Sequence, residues 1–303
     1  MTNWSGTGTV ATSSTYRLTS LANVNSYLGF TTGDNTTRDT LLTNLIDRAT
    51  SAIESYCDRK FKSRSYRLER YDGDGTELLF LRQKPIVGIN SISLGSRTVL
   101  TVNCTDADAV HASVDVDSDG VTLNQINGTG NGVSNLTFSS YATISAMGAK
   151  IDSYTGWDVT VETTYNNYRA SDLLDLYGAY CLNDSLYMQI PDTPIQDFTV
   201  YKEGGLQMGI IHRNAGWTSG TMNVIITYTA GYTTIPYDVE QACIQLAGAL
   251  YNMGKRDLSL KHEKLGDYEY TVADSATSGD ALSLLRSSGI AGLLGPWRSI
   301  WVV

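Results

Sequence analysis

TRDTLLTNLIDRATSAIESYCDRKF, from Thr37 to Phe61, is the most regular amphipathic pattern in this 303-residue chain. Leu41, Leu42, Leu45, Ile46, Ala49, Ala52, Ile53, Tyr56 and Cys57 recur at steps of three and four, which places them on one face of a helix. Thr43, Asn44, Asp47, Thr50, Ser51, Glu54 and Asp58 occupy the other face. Thr36, with Asp39 three residues on, predicts the N-terminal cap. No Gly or Pro interrupts the run. An apolar stripe of this length must be buried against something, so its partner has to come from elsewhere in the chain.

Helical periodicity returns only at Pro236, after a long stretch of other patterns. Val239, Ala242, Cys243, Leu246, Ala249, Leu250 and Met253 share a face, and Pro236 suits a first turn. Ala242, Ala247, Gly248 and Ala249 keep this helix slim, which permits close approach to a partner. It is therefore the expected partner of the opening helix. SLANVNSYLG predicts a short helix capped by Ser20 and stopped by Gly29. SGDALSLLRSSG predicts another, capped by Ser278 and stopped by Gly289.

Between the helices the period is two. RSYRLERYD, ELLFL, PIVGINSISLG (with a kink), TVLTVNC, GVTLNQI, LTFSSYATISA, WDVTVETTYNNY and MNVIITYTA read as strands separated by Gly-rich turns. The expected fold is α+β: a helical domain formed from both chain ends (residues 15–62 with 236–289) around an inserted antiparallel β region (63–235). Residues 1–14 read as a flexible arm and 290–303 as an apolar docking tail. The β region divides into two units that resemble each other, about 63–170 and 175–235. Leu79, Leu81, Pro85 and Ile86 align in phase with Met188, Ile190, Pro194 and Ile195, and Val159 and Val161 with Val224 and Ile226. Duplication explains this pattern, and so does the general recurrence of strand–Pro–strand patterns.

Composition narrows the function. A net charge of −9 argues against a basic patch that neutralises nucleic-acid phosphates. Cys57, Cys104, Cys181 and Cys243 form no CxxC pair, and Cys57 and Cys243 lie on apolar helix faces, so neither a disulfide framework nor a zinc site is indicated. The N-terminus lacks a basic region followed by an apolar core, and no run approaches the ~18 apolar residues that span a bilayer. No membrane partner is expected.

The motifs of catalysis are missing. His111, His212 and His262 are isolated, and there is no GxSxG elbow, P-loop or dinucleotide-binding glycine pattern. Gly128, Gly130 and Gly132 form a turn, GTGNG. Asp115, Asp117 and Asp119, followed by Gly120, match the first half of a calcium loop, but Ile126 stands where the loop's bidentate Glu belongs. A turn rich in Asp explains the pattern as well. No catalytic residue, cofactor or firm metal site is therefore assigned. The tail is more informative: Ile290, Leu293, Leu294, Trp297, Ile300, Trp301, Val302 and Val303 crowd the last fourteen residues. It either folds back over its own helices or docks on a partner through its tryptophans. The docking reading takes Ile290, Leu293, Leu294, Trp297, Ile300, Trp301 and Val303 as contacts. Gly292, Gly295 and Pro296 favour an extended tail that adds a strand to a partner sheet. On that reading, removing Ile290 to Val303 leaves the helical domain folded.

The order LTSLANVNSYLG, LLTNLIDRATSAIESYCDRKF, β segment, VIITYTAGYTTIPYDVEQACIQLAGALY, EKLGDYEYTV resembles the head–tail connector, or adaptor, proteins of tailed bacteriophages. Tyr228, Gly231, Tyr232, Pro236, Asp238, Val239 and Ala242 carry the resemblance, with Glu263, Gly266, Asp267 and Tyr268. It covers the helical ends and the second β unit; residues 97–176 have no counterpart in it. The resemblance implies a structural, non-enzymatic ring, usually twelve-fold, in the neck of a virion assembled in the host cytoplasm. It implies the portal protein above, neighbouring copies to either side, a downstream neck or tail protein below, and DNA as passing cargo. It also implies that the C-terminal tail reaches the portal. Two other readings are a virion β protein that binds host-surface carbohydrate, from the Tyr- and Thr-rich strands, and a hydrolase whose triad is scattered in sequence.

Overall fold

A computed structural model of the chain describes residues 14–203, 206–254, 262–265, 268–271, 281–287 and 289–298. The fold is α+β, and the chain divides into two compact units. One is formed within Met1–Arg64, Gln83–Val87 and Ala230–Val303, the other within Ser65–Arg82 and Gly88–Thr229.

The first unit is helical. Helix α1 (Leu21–Leu28) starts where the Ser20 side chain accepts the Asn23 N–H and stops at Gly29, whose φ of 76° is left-handed. Helix α2 (Thr36–Cys57) is capped by Asn35, one residue before the expected Thr36; its Oδ1 accepts the Arg38 N–H at 3.0 Å. Asp39 turns back instead. It accepts from the Gly33 N–H at 2.7 Å and from Asn25 Nδ2 at 3.2 Å, which fixes the turn between α1 and α2. The helix ends at Asp58, in left-handed backbone with φ 50°, so the chain has already turned at Phe61.

Helix α4 (Tyr237–Met253) follows Pro236, which is the cap residue itself. Leu42, Ile46, Ala49, Ile53 and Cys57 of α2 are fully buried in one core with Val239, Ala242, Cys243, Leu246 and Ala247 of α4. Each large aliphatic side chain in it contributes about 1.5–3 kcal/mol. Helices α5 (Ala281–Ser287) and α6 (Ile290–Leu294) add Leu285, Ile290 and Leu294 to the same core. Gly248 lets α4 pass under α1, because a Cβ there would sit 2.9 Å from the Tyr27 ring.

The second unit is built on β3 (Ile86–Cys104), one 19-residue strand where the sequence pattern suggested two. It is hydrogen-bonded in an eight-stranded sheet to β7 (Trp157–Val161), β9 (Leu186–Pro194), β11 (Leu206–His212) and β12 (Gly220–Ala230). Strands β1 (Arg64–Gly73), β2 (Leu78–Phe80) and β10 (Thr199–Glu203) complete that sheet. A four-stranded sheet has the order β6 (Gly132–Thr137), β5 (Gly120–Ile126), β4 (His111–Val116), β8 (Leu176–Tyr180).

Expected as strand throughout, LTFSSYATISA instead ends β6 at Thr137 and opens helix α3 (Ile144–Asp152), capped by Thr143. Ile144, Met147 and Ile151 recur at helical spacing and are fully buried with Val99, Leu100, Val114 and Leu123. Gly148 permits the packing: a Cβ there would lie 2.6 Å from Val161 Cγ2. Strands β4 and β8, absent from the sequence reading, fill residues 111–116 and 176–180. Leu79, Leu81, Ile86, Met188, Ile190 and Ile195 are all buried. β2 pairs with β11, whereas β9 pairs with β3, so the two resembling segments occupy different neighbourhoods.

Where the chain leaves and re-enters the helical unit, Tyr232 N–H donates to Phe61 O at 2.6 Å and Ser63 N–H to Tyr232 O at 3.0 Å. Gly231, at φ 109°, lies against this crossing; a Cβ on it would sit 2.8 Å from the carbonyl oxygens of both Phe61 and Lys62. Gly231→Ala is expected to cost about 2 kcal/mol or more, measured by chemical denaturation. Gly88→Ala, with open space around the new methyl, serves as the near-neutral control.

Candidate docking site

The tail residues fall into two groups. Ile290 and Leu294 are buried in the helical core, and Leu293 and Trp297 pack against it. The backbone there is α6 followed by a 3-10 turn, Gly295–Trp297, so the expectation of an extended tail is corrected for these residues. Gly289 supplies a left-handed start at φ 77°, and Pro296 fits the first turn of the 3-10 segment. Trp297 meets the ring of Tyr232 edge-on at 5.9 Å and that of Phe61 at 6.4 Å. Its Nε1 is buried and finds no hydrogen-bond partner among the described residues. The Arg298 guanidinium lies 5.1 Å above the Tyr56 ring. Ile300, Trp301 and Val303 lie outside the described residues. Because Ile290 and Leu294 belong to the core, deleting everything from Ile290 onward would open it.

The polar face of α2 is largely engaged within its own unit. Arg17 grips Asp47 with two hydrogen bonds, at 2.6 and 2.9 Å. Glu54 is buried and receives Lys60 Nζ at 2.8 Å, Arg64 Nη2 at 2.6 Å and the Phe61 N–H at 3.4 Å. Thr50 is buried too, accepting the Leu18 N–H at 3.3 Å. Only Ser51 and Asp58, of the four residues Asp47, Ser51, Glu54 and Asp58, are exposed. The reading of Glu54 as an outward-facing group is thereby corrected.

A surface the sequence reading missed lies at the other end of α2. Arg38, Leu41, Leu45 and Arg48 line a groove of about 770 Å³ with Leu250, Tyr251 and Met253 of α4. Leu41 was expected in the buried stripe but is 48% exposed. Adjacent residues on a helix point about 100° apart, so Leu42 takes the core and Leu41 the groove. The spacing of 38, 41, 45 and 48 is itself a helical stripe, and this signal was available.

The acidic and histidine candidates of the second unit have structural explanations. Asp117 Oδ1 accepts the N–H groups of Asp119 at 2.7 Å and Gly120 at 3.0 Å, forming the turn of the β4–β5 hairpin. Asp115 Oδ1 accepts the Gly178 N–H at 2.6 Å. No cluster of three or more His, Cys, Asp or Glu suited to a metal ion occurs among the described residues. His111 packs against Tyr180, and His212 meets Glu77 at 3.2 Å on the surface. The side chain of His262 lies outside the described residues. All four cysteines are buried and free. Burial pushes the Cys57 thiol up to about 11 and that of Cys243 to about 12, so both are protonated near neutrality. No helix among the described residues is long and apolar enough to cross a membrane.

No protein-family model matches the sequence, and no curated protein does either. Solved structures give weak likenesses. One is a chain in the neck of an empty gene transfer agent (GTA) particle computed with C6 symmetry, at 14% identity and TM-score 0.41, covering 93% of this chain and 90% of that chain. A second is in the virion of a native gene transfer agent particle, at 14% identity and TM-score 0.38, with the same coverage. A third is in the neck of a native GTA particle computed with C12 symmetry, at 13% identity and TM-score 0.36, covering 95% and 96%. At these scores the likeness does not by itself establish a common fold.

Two outcomes follow for the helical unit. Leu294→Ala should lower its stability by about 2–5 kcal/mol in urea, because it empties a fully buried site. The Asp39 carboxylate is held below the usual range, chiefly by the Gly33 N–H, with burial opposing. A lowered folded pKa contributes stability that is present above the unfolded value and lost as pH falls through the folded one. Acid unfolding of Asp39→Asn should therefore show a shallower pH slope below about pH 4 than the wild type.

Proposed function

We propose that this protein is a structural head–tail adaptor of a phage-like virion. In this reading copies form a ring beneath the portal, DNA passes through its centre, and a downstream neck or tail protein binds below. The observation that carries it is the discontinuous helical unit. α1 and α2 from one end of the chain pack with α4, α5 and α6 from the other, with the β segment between them in sequence, in the order of the connector proteins the sequence resembles.

Two further features support a structural role. The carboxylates of Asp47 and Glu54 on α2 are spent on hydrogen bonds within the unit. The excess of acidic residues suits a channel wall that repels DNA instead of holding it. In the same proposal, portal attachment belongs to residues 299–303, SIWVV, beyond the part of the tail anchored by Trp297.

Negative-stain microscopy of the protein, alone and mixed with portal protein, tests the reading. A ring in either sample is expected. Truncation after Arg298 should abolish portal attachment. A strict monomer that ignores portal would overturn the adaptor reading; full attachment by the truncated protein would overturn the role of the tail.

A further inference from the structure

The groove on α2 and α4 has an apolar floor and two arginines at its rim. Leu41, Leu45, Leu250 and Met253 supply the floor, and Arg38 and Arg48 the charge. Arg38 is already engaged: it lies 4.4 Å over the Phe30 ring and donates to Thr31 O at 2.9 Å. Arg48 is exposed. A protein with net charge −9 thus presents a cationic, apolar recess. It calls for an occupant that joins an aromatic or aliphatic side chain to a carboxylate.

The same helix carries such a group at its other end. Tyr237, the first residue of α4, is 86% exposed, the highest exposure among the large apolar and aromatic side chains described. Asp238 follows it and is exposed as well. An acidic residue in a first turn has an ordinary explanation in the helix dipole. That explanation does not extend to a tyrosine ring standing in water beside it. Nor is the whole first turn available: Glu240 is taken by Asn23 Nδ2 at 2.9 Å and Thr19 Oγ1 at 3.3 Å. Tyr237 and Asp238 are the projecting pair.

We infer that the groove receives Tyr237 and Asp238 of a second copy of this chain, the ring entering the apolar recess and the carboxylate facing Arg48. Knob and recess lie about 20 Å apart along one helix, at 1.5 Å per residue. They are different surfaces, so the contact is head-to-tail and propagates from copy to copy until it closes. An aromatic anchor in a pocket with a charge pair at its edge is the pattern in which a few residues dominate an interface. The inference rests on the ring reading above and supplies its contact.

Charge exchange in the full-length protein tests it. Asp238→Arg and Arg48→Glu, each alone, should weaken self-association at least about tenfold by mass photometry or analytical ultracentrifugation. The double variant should return to within about threefold of the wild type, because the pair is restored in reverse. A second measurement uses Tyr237→Cys with Leu41→Cys in one chain. Mild oxidation should give a ladder of cross-linked copies on a non-reducing gel, since the native cysteines are buried. Wild-type rings that neither single variant disturbs, with no cross-linked ladder, would overturn this contact and leave the ring reading standing. No self-association of the wild type, with or without portal, would overturn both. Loss of thermal stability in Arg48→Glu without any change in association would mean that the chain covers the groove itself, which also overturns the inference.

Discussion

Burial of the α2 stripe against α4 is the interaction on which the first unit depends. It joins segments roughly 180 residues apart, and the entropy of closing so long a loop would ordinarily oppose it. That cost grows only with the logarithm of length, so it exceeds the cost for a ten-residue loop by about 3 kcal/mol. One or two buried aliphatic residues offset this, and the seam contains many more. The crossing at Phe61, Ser63 and Tyr232 reduces the cost further. Its two backbone hydrogen bonds hold the start and end of the insertion side by side, so the helices meet a closed loop rather than a free one. Gly231 belongs to this crossing because only a residue without Cβ can approach two carbonyl oxygens at that φ.

The same seam explains why α2 buries polar residues. After Cys57 the chain reverses within a few residues, and the N–H groups of the turn need acceptors. Glu54 reaches the Phe61 N–H and is neutralised by Lys60 and Arg64. Arg59 Nη2 donates to Lys84 O at 2.5 Å while its guanidinium lies over the rings of Phe61 and Tyr232. A carboxylate that periodicity assigns to solvent is thus claimed by cations from the following turn. Removing one partner from such a cluster leaves a buried charge, which is why its members act as a unit.

Sequence periodicity carried the helices and their pairing, because an uninterrupted stripe of this length has only one economical solution. Ser20 and Gly29 were legible as caps because each residue type has a local reason to be there. What failed was local in a different way. LTFSSYATISA is rich in β-branched and aromatic residues, yet its last residues form α3 because Ile144, Met147 and Ile151 fill a core that only a helical spacing reaches. Leu41 reads as core until its neighbour Leu42 takes that place. Glu54 and Asp47 read as surface because their partners, at positions 60, 64 and 17, are invisible to a helical wheel. The candidate site was half legible. The apolar tail stood out in composition, but the seat of Trp297 depends on Phe61 and Tyr232, which only folding brings to it.

The packing of Ile290 to Arg298 bears on how a docking segment can work. A fully free tail of fourteen residues would surrender conformational entropy along its whole length on binding, at about 1–2 kcal/mol per residue for the backbone alone. Here Ile290 and Leu294 are already in the core, Trp297 is wedged between two rings, and Arg298 lies over Tyr56. The ordering cost through Arg298 is therefore met when the helical unit folds. Arg298 is thereby held at a fixed point beside α2. The affinity that two or three apolar side chains supply is modest in isolation. Preorganisation of this kind lowers the cost of any contact made through the segment, because less freedom is lost on binding.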